Sequence, residues 1–258
     1  GPNDYYFWDD FWGLAGFNAA ARLADYYGDK DYREKYRRYA EDFDKAISTS
    51  IDKIPENMSK GCIPASPYRR MDAGAIGSLV ADYPLQLMKK GNSRVINTLE
   101  FLMHNCFYKG AFFQDMIHSG MNAYLTLSLA QTLLRNDDDR YKELIRTIAD
   151  LASSTGQWPE AIHPRTSGGC MGDGQHGWAA AEWIMMIRNL FVREEDHHLV
   201  IGAGIFPEWM AAGQSISYGP TPTPYGDVSL TIDCEKSKPV LTIDGDWRNQ
   251  RPDMAIRI

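Results

Sequence analysis

The chain has 258 residues, of which 44% are hydrophobic and 12% aromatic, which is typical of a folded protein with a sizeable core. It carries 27 Lys and Arg against 34 Asp and Glu, giving a net charge of −7, and its basic residues do not cluster. This balance argues against nucleic acid or an anionic membrane surface as a partner. No apolar run is long enough to cross a bilayer, so we expect no membrane-spanning segment.

The four cysteines are spread along the chain without a Cys-x-x-Cys pair or a His at metal-ligand spacing. We therefore predict free thiols and no metal site at the cysteines. The chain begins with Gly1-Pro2, which is typical of a scar left by a protease, so the sequence does not indicate the compartment.

Helical periodicity predicts about seven helices in the first three quarters of the chain. They are expected over residues 11–27, 31–48, 72–88, 93–106, 121–134, 140–152 and 176–192. The segment 72–88 is mostly apolar, as a helix buried on several sides would be.

The pattern changes after Glu194 to short β-branched or alternating runs separated by Gly, Pro and Asp, which predict a small antiparallel sheet. These runs cover residues 199–201, 215–218, 228–232 and 239–243. Residues 219–224 repeat proline and predict a stiff, extended connector. The predicted fold class is mainly α, with a helical domain over residues 1–196 followed by a β module over residues 197–258.

The most informative segment is the Gly-rich loop from Trp158 to Gln175, which lies between two predicted helices. A loop of this length inside a compact helical domain is uncommon unless it is functional or disordered. Residues such as Trp158, Ile162 and His163 are not typical of a solvated linker. Glu160 is therefore a candidate for a carboxylate held in place for proton chemistry.

Two motifs in this chain resemble those of the six-hairpin glycosidases, and of bacterial glucoamylase-like enzymes in particular. Residues 159–168 and 172–178 are similar to the loop that carries the catalytic base between the last two helices of that family's (α/α)6 toroid. On this resemblance Glu160 is the general base that activates water. Ala161 and His163 depart from the family pattern, which has a second acid and an Asp at these positions.

The second motif, residues 5–13, is similar to the Trp-Glu-Glu motif at the head of the family's sixth helix. The resemblance implies that Asp9 protonates the leaving oxygen and that Asp10 binds a sugar hydroxyl. It implies inverting hydrolysis, in which the two carboxyl groups lie about 6.5–9.5 Å apart. The aromatic neighbours of Asp9 favour its protonated form, whereas His163 and Arg165 favour an ionised Glu160.

The same resemblance implies an incomplete toroid. If the helix near His176 is the twelfth, the helix near Phe11 is the sixth. We therefore expect either a homo-oligomer or a longer chain that supplies the N-terminal half. Half a toroid would leave apolar flanks exposed.

Side chains next to the ends of the helices are candidates for binding a carbohydrate substrate. They are Trp8, Asp10, Arg69, Asp72, Gln114, Asp115, Trp158, His163, Arg165, Gln175 and His176. Structural roles stay open for many of them. Asp9 and Asp10 also suit the first turn of a helix, where acids interact favourably with the helix dipole, and Glu160 also suits an ion pair with Arg165.

The leading hypothesis is a glycoside hydrolase acting on an oligosaccharide or a glucan. One alternative is a polysaccharide lyase or a sugar epimerase, in which Tyr68, His163 or His176 would carry protons. A phosphorylase and a non-catalytic carbohydrate-binding remnant are the other hypotheses.

Overall fold

The computed structural model describes residues 4–115, 119–172, 174–235 and 238–258. The chain divides into two compact units, residues 1–180 and 181–258. Helices account for about 45% of the structure and strands for about 20%. The expected mainly α class is therefore wrong, and the chain has a mixed α and β fold. The domain boundary expected after residue 196 stays a prediction.

The first unit contains most of the helices, at positions close to those expected from periodicity. They are α1 (Phe7–Tyr26), α2 (Lys30–Asp52), α3 (Glu56–Ser59), α4 (Ser93–Asn105), α5 (Ala123–Arg135), α6 (Tyr141–Asp150) and the start of α7 (Gly177–Phe191). Capping side chains set two of the starts: Asp29 accepts from the Tyr32 amide at 3.1 Å, and Asn92 accepts from the amides that open α4. Among the described residues, none of the helices combines the length and the apolar character needed to cross a bilayer.

The expected helix over residues 72–88 is wrong. Only Ala73–Ala81 is helical, as a 3-10 helix capped by the Asp72 carboxylate, and turns follow it. Gly77 packs directly on Trp8, since a Cβ atom at Gly77 would lie 2.4 Å from Cε3 of that ring. Pro84 cannot donate a backbone hydrogen bond, so it ends any continuing helix. Sequence periodicity detected the apolar character of this segment but not its geometry.

The core of the first unit is built around α5. Leu127, Leu129 and Leu133 are fully buried there. At the end of α5, Arg135 forms a buried ion pair with Asp82, and it also donates to the carbonyl oxygen of Met88 at 3.2 Å. Removing one partner of such a pair would leave a buried charge uncompensated, so these contacts hold the segment after the 3-10 helix against α5.

A five-stranded antiparallel sheet, which the sequence analysis missed, runs through the loops of the first unit. Its strands, in spatial and chain order, are β1 (Phe107–Tyr108), β2 (Ala111–Gln114), β3 (Gly120–Met121), β4 (Ala161–Ile162) and β5 (Gly169–Met171). Strands of two to four residues are too short to show an alternating pattern. Strand β4 begins directly after Glu160, so this sheet positions the loop of interest.

The second unit contains the rest of α7 and two three-stranded sheets. Its strands are β6 (Val192–Glu195), β7 (His198–Ile201), β8 (Ser215–Thr223), β9 (Gly226–Asp233), β10 (Val240–Trp247) and β11 (Met254–Ile256). One sheet has the antiparallel order β10-β9-β8, and the other has the order β11-β7-β6 with a parallel β11–β7 pair. The expectation of a purely antiparallel module is therefore wrong. The expected connector at residues 219–224 lies largely inside β8, whose register shifts between Tyr218 and Thr221.

Candidate functional site

The loop that carries Glu160 is anchored by Trp158. This indole is only 5% exposed and donates from Nε1 to the carbonyl oxygen of Ile148 at 2.8 Å. The carbonyl oxygen of Trp158 accepts from the amide of His176 at 2.8 Å, which ties the start of the loop to its end. The structure thus places Trp158 in the core, where its ring supports the loop.

Glu160 is half-buried and is held on two sides. Its main-chain carbonyl oxygen accepts a 2.9 Å hydrogen bond from Nδ2 of Asn122, which precedes α5. On the other side Gly172 packs on it closely: a Cβ atom at Gly172 would lie 2.7 Å from Cβ of Glu160 and 2.9 Å from its Oε2. Gly172 has φ +70°, a conformation that glycine adopts readily. Local backbone contacts therefore fix where the Glu160 side chain begins.

An aromatic group connects the head of α1 with Glu160, and we define it as Trp8, Trp178, Tyr124 and His176. The ring of Tyr124 lies 4.6 Å from that of Trp178 and 4.9 Å from that of His176, and Trp178 lies 5.9 Å from Trp8. Burial, followed by the charge of Glu160, raises the pKa of Tyr124 to about 12. Two candidate regions that are about 150 residues apart in sequence therefore share one neighbourhood.

Tyr124 and Asn122 are residues that the sequence analysis did not single out. Tyr124 stands in a very apolar helix, where an aromatic side chain is expected in the core, and Asn122 occupies an ordinary N-cap position. The Asn122 side chain makes no capping bond to its own helix. A polar residue and a tyrosine at the loop end of a buried helix are the only signal that the sequence offers.

The two acids of the second motif differ in exposure. Both lie in the first turn of α1; Asp9 is exposed and Asp10 is half-buried. Phe7 and Phe11 are buried, and each is two residues from Asp9, which places them on roughly the opposite side of the helix. The aromatic neighbours in sequence therefore do not shield Asp9 from water. Burial, and then the charge of Asp9, raise the pKa of Asp10.

Arg69 and Asp72 lie next to the head of α1. Arg69 Nη2 is 2.6 Å from Oδ2 of Asp72, and Nη1 donates to the Tyr6 hydroxyl at 3.4 Å. The amide of Phe7 donates to the carbonyl oxygen of Ala65 at 3.0 Å, which fixes this segment beside the second motif. Asp72 also caps the 3-10 helix, so its carboxylate has a structural function whatever else it does.

Asp115 and Arg165 line one cavity of about 340 Å³, together with Cys106 and the aromatic rings of Tyr108 and Phe113. Burial raises the pKa of Cys106 to about 11, with smaller contributions from the charges of Asp115 and Asp72. The structure thus brings Asp115 and Arg165 together, although they are 50 residues apart.

The remaining candidates have more local environments. Nδ1 of His163 accepts from the amides of Arg165 and Thr166 at 3.2 and 3.3 Å, so this ring stabilises a turn. Gln175 is exposed. Within the described part of the chain, Oε1 of Gln114 and Nε2 of His176 are buried without a hydrogen-bond partner. Such atoms are uncommon in folded proteins.

The four cysteines are free thiols. Across residues 4–115, 119–172, 174–235 and 238–258, no three His, Cys, Asp or Glu side chains are grouped as a metal ion would require.

No protein-family model matches the chain, and no curated protein matches it. Solved structures do match. A bacterial glucoamylase complexed with acarbose superimposes with a TM-score of 0.56 at 14% identity, covering 71% of this chain and 33% of the glucoamylase. A wild-type glycosidase gives a TM-score of 0.58 at 14% identity, covering 71% of this chain and 51% of the glycosidase. The chain therefore spans about a third to a half of the proteins it resembles, and over most of its own length it has a glycosidase-like fold.

Proposed function

We propose that this protein is a glycoside hydrolase that cleaves a glycosidic bond of an oligosaccharide or a glucan with inversion. The observation that supports it best is the aromatic group, which joins the acidic head of α1 to Glu160. Inverting hydrolysis needs an acid and a base on opposite faces of a sugar, with room for a water between them. Two carboxyl-bearing segments in one neighbourhood, with Trp and Tyr rings between them, support such a pair of carboxyl groups.

Glu160 is the general base in this proposal. Its carboxylate draws a proton from the attacking water, which requires a fixed position and an ionised form. Asn122 and Gly172 supply the fixed position through the backbone of Glu160 and its Cβ. The charge of Glu160 contributes to the raised pKa of Tyr124, which supports a position of this carboxyl group near the aromatic group.

The general acid comes from the pair Asp9 and Asp10. The resemblance to glucoamylase-like motifs assigns the proton donor to Asp9 and a sugar hydroxyl to Asp10. The two carboxyl groups interact, since the charge of Asp9 contributes to the raised pKa of Asp10. We expect Asp9→Asn to abolish turnover and Asp10→Asn mainly to raise KM. If Asp10→Asn abolished turnover and Asp9→Asn mainly raised KM, Asp10 would be the general acid.

The cavity lined by Tyr108, Phe113, Asp115 and Arg165 is the proposed place for a neighbouring sugar unit. Aromatic rings pack on the apolar faces of sugars, while planar carboxylate and guanidinium groups bond hydroxyls in pairs. A volume of about 340 Å³ is within the usual range of small-molecule sites. The reaction needs no metal or organic cofactor.

The decisive experiment is Glu160→Gln, which keeps the shape of the side chain and removes its basicity. We expect release of reducing ends from an oligosaccharide panel to fall by about 10²–10⁴-fold, while sugar binding by calorimetry and the circular dichroism spectrum stay close to wild type. Glu143→Gln, an exposed position in the first turn of α6, is the matched control. Full activity in Glu160→Gln would refute the assignment of the base.

A lyase or an epimerase is the second candidate, because Tyr124 lies near Glu160 and packs against His176. Nε2 of His176 is a buried atom without a hydrogen-bond partner among the described residues. A tyrosine base must lose its proton. With a pKa of about 12, roughly one Tyr124 phenol in 10⁵ is ionised at pH 7, which favours hydrolysis. Product analysis separates the two: an unsaturated sugar absorbs in the ultraviolet, whereas hydrolysis creates a reducing end.

A further inference from the structure

A second cavity of about 490 Å³ lies in the first unit, between α1, α2 and residues 84–87. Asn18, Arg22 and Asp25 line it from α1, and Arg37 lines it from α2. The three α1 residues are spaced by four and three positions, so they share one face of that helix. None of the residues that line this cavity lies in the Glu160 loop or in the aromatic group.

The charges in this cavity are not balanced within it. Asp25 is the carboxylate on its wall, and this group is engaged by Arg33, which lies outside the lining, at 2.8 Å. The hydrogen bond from Arg33 accordingly lowers the pKa of Asp25. Arg37 contributes to this lowering of the pKa as well, so the cavity presents two guanidinium groups against one carboxylate that Arg33 already binds.

Both arginines are available to a ligand. No described residue forms an ion pair or a side-chain hydrogen bond with Arg22. Among the described residues, Arg37 has one ion pair, with Glu34 at 3.5 Å, and both of these side chains are more than half exposed. An exposed ion pair with this separation contributes little to stability, so a more strongly bound anion can displace the Glu34 carboxylate from Arg37 at a small cost in free energy. The whole chain has a net charge of −7, so the excess of positive charge in this cavity is opposite in sign to the charge of the protein as a whole.

We propose that this cavity binds a small phosphorylated molecule, with its phosphate group on Arg22 and Arg37. Guanidinium groups bind phosphate through paired, charge-assisted hydrogen bonds. A volume of about 490 Å³ exceeds what a bare oxyanion needs and suits a small organic ligand. Pro84, Leu85 and Leu87 supply an apolar wall for its carbon skeleton, and the Asn18 amide lies within the same lining for a hydroxyl. This site goes beyond the proposed hydrolase activity and does not depend on it.

Calorimetric or NMR titration of the full chain tests the proposal, with glucose 6-phosphate, inorganic phosphate and glucose as probes at constant ionic strength. We expect glucose 6-phosphate to bind more tightly than inorganic phosphate and glucose to leave the signals of this cavity unchanged. Arg22→Ala and Arg37→Ala should each weaken binding of glucose 6-phosphate at least tenfold. Arg38→Ala removes an exposed arginine of α2 outside the cavity and should bind like the wild type.

Equal affinity in the wild type and Arg22→Ala would overturn the site, as would an Arg38→Ala variant that loses as much binding as Arg37→Ala. If inorganic phosphate bound as tightly as glucose 6-phosphate, the proposal that the ligand is an organic molecule would be wrong. Circular dichroism verifies that each variant is folded. Unchanged binding in Glu160→Gln supports a site separate from the sugar-cleaving one.

Discussion

The side-chain amide of Asn122 donates a 2.9 Å hydrogen bond to the main-chain carbonyl oxygen of Glu160, across 38 residues of sequence. Asn122 is fully buried, and it precedes the helix that carries Tyr124. One contact therefore joins the proposed base to the most buried helix of the first unit. The position of Glu160 depends on core packing as well as on its own loop.

Asn122→Ala should lower both stability and turnover. Removing a buried hydrogen bond typically costs about 1–2 kcal/mol in the free energy of unfolding. Because the Glu160 backbone loses its anchor, we also expect kcat to fall about tenfold with a smaller change in KM. Urea denaturation and steady-state kinetics measure the two effects. Asn97→Ala removes an exposed 3.0 Å hydrogen bond from its side-chain amide to the Gly61 carbonyl oxygen and should change neither by much.

Gly172→Ala should impair catalysis more than it impairs folding. Ala at φ +70° is strained by about 1–2 kcal/mol, and its Cβ atom would also lie 2.7 Å from Cβ of Glu160. Gly156→Ala is the matched control, because Gly156 has φ +75° with nothing within 4 Å of its Cβ position. Similar unfolding midpoints with a lower kcat only in Gly172→Ala are the expected result. Equal kcat values in Gly172→Ala and Gly156→Ala would contradict a role for the contact between Gly172 and Glu160 in catalysis.

The pKa of Tyr124 should report the charge of Glu160 without any assay of activity. We expect Glu160→Gln to lower the pKa of Tyr124 from about 12, because a neighbouring negative charge is removed. NMR titration of the labelled phenol carbon measures this, with Tyr124→Phe to assign the signal. An unchanged pKa in Glu160→Gln would place the carboxylate away from the aromatic group.

The same shift links stability to pH. The folded pKa of Tyr124 lies above its ordinary value of 10, so the folded state keeps a proton that the unfolded state releases. This contribution to stability is complete below pH 10 and is lost as pH rises towards 12, by roughly 2–3 kcal/mol. Tyr124→Phe should show a smaller loss over this range in chemical denaturation.

The thiol of Cys106 should react slowly with alkylating reagents. With a pKa of about 11, roughly one thiol in 10³ is ionised at pH 8. Asp115→Asn should lower that pKa and speed the labelling of Cys106, whereas Asp42→Asn, an exposed acid of α2, should not. A Cys170→Ser background removes the exposed thiol, and mass spectrometry follows the rate. If Asp115→Asn did not speed the labelling of Cys106, the charge of Asp115 would not act on this thiol.

The hydrophobic periodicity and the local sequence were sufficient to predict the secondary-structure elements that depend on residues close together in the chain. Helix α6 has its buried residues Leu144, Ile145 and Ile148 on one face, as the apolar pattern predicts, and the Asn92 and Asp29 caps act within three residues. The loop around Glu160 was also recognisable, since a long Gly-rich segment with Trp158 is rarely a linker. The β-branched and alternating runs predicted at least part of β7, β8, β9 and β10, whereas β6 and β11 were not predicted.

Contacts between distant residues decided the rest. A strand of two residues is too short to show an alternating sequence pattern. The sheet from β1 to β5 is therefore recognised only from the hydrogen bonds between its strands. Asp9 is exposed and Asp10 half-buried because of the side of α1 that packs on the core, and neighbours in sequence do not report that side. The pairs Tyr124 with Glu160 and Asp115 with Arg165 are each separated by more than 30 residues. Local sequence thus specified which side chains carry chemistry, while packing across the chain specified which of them meet, because burial and Coulomb interactions act through space and not along the backbone.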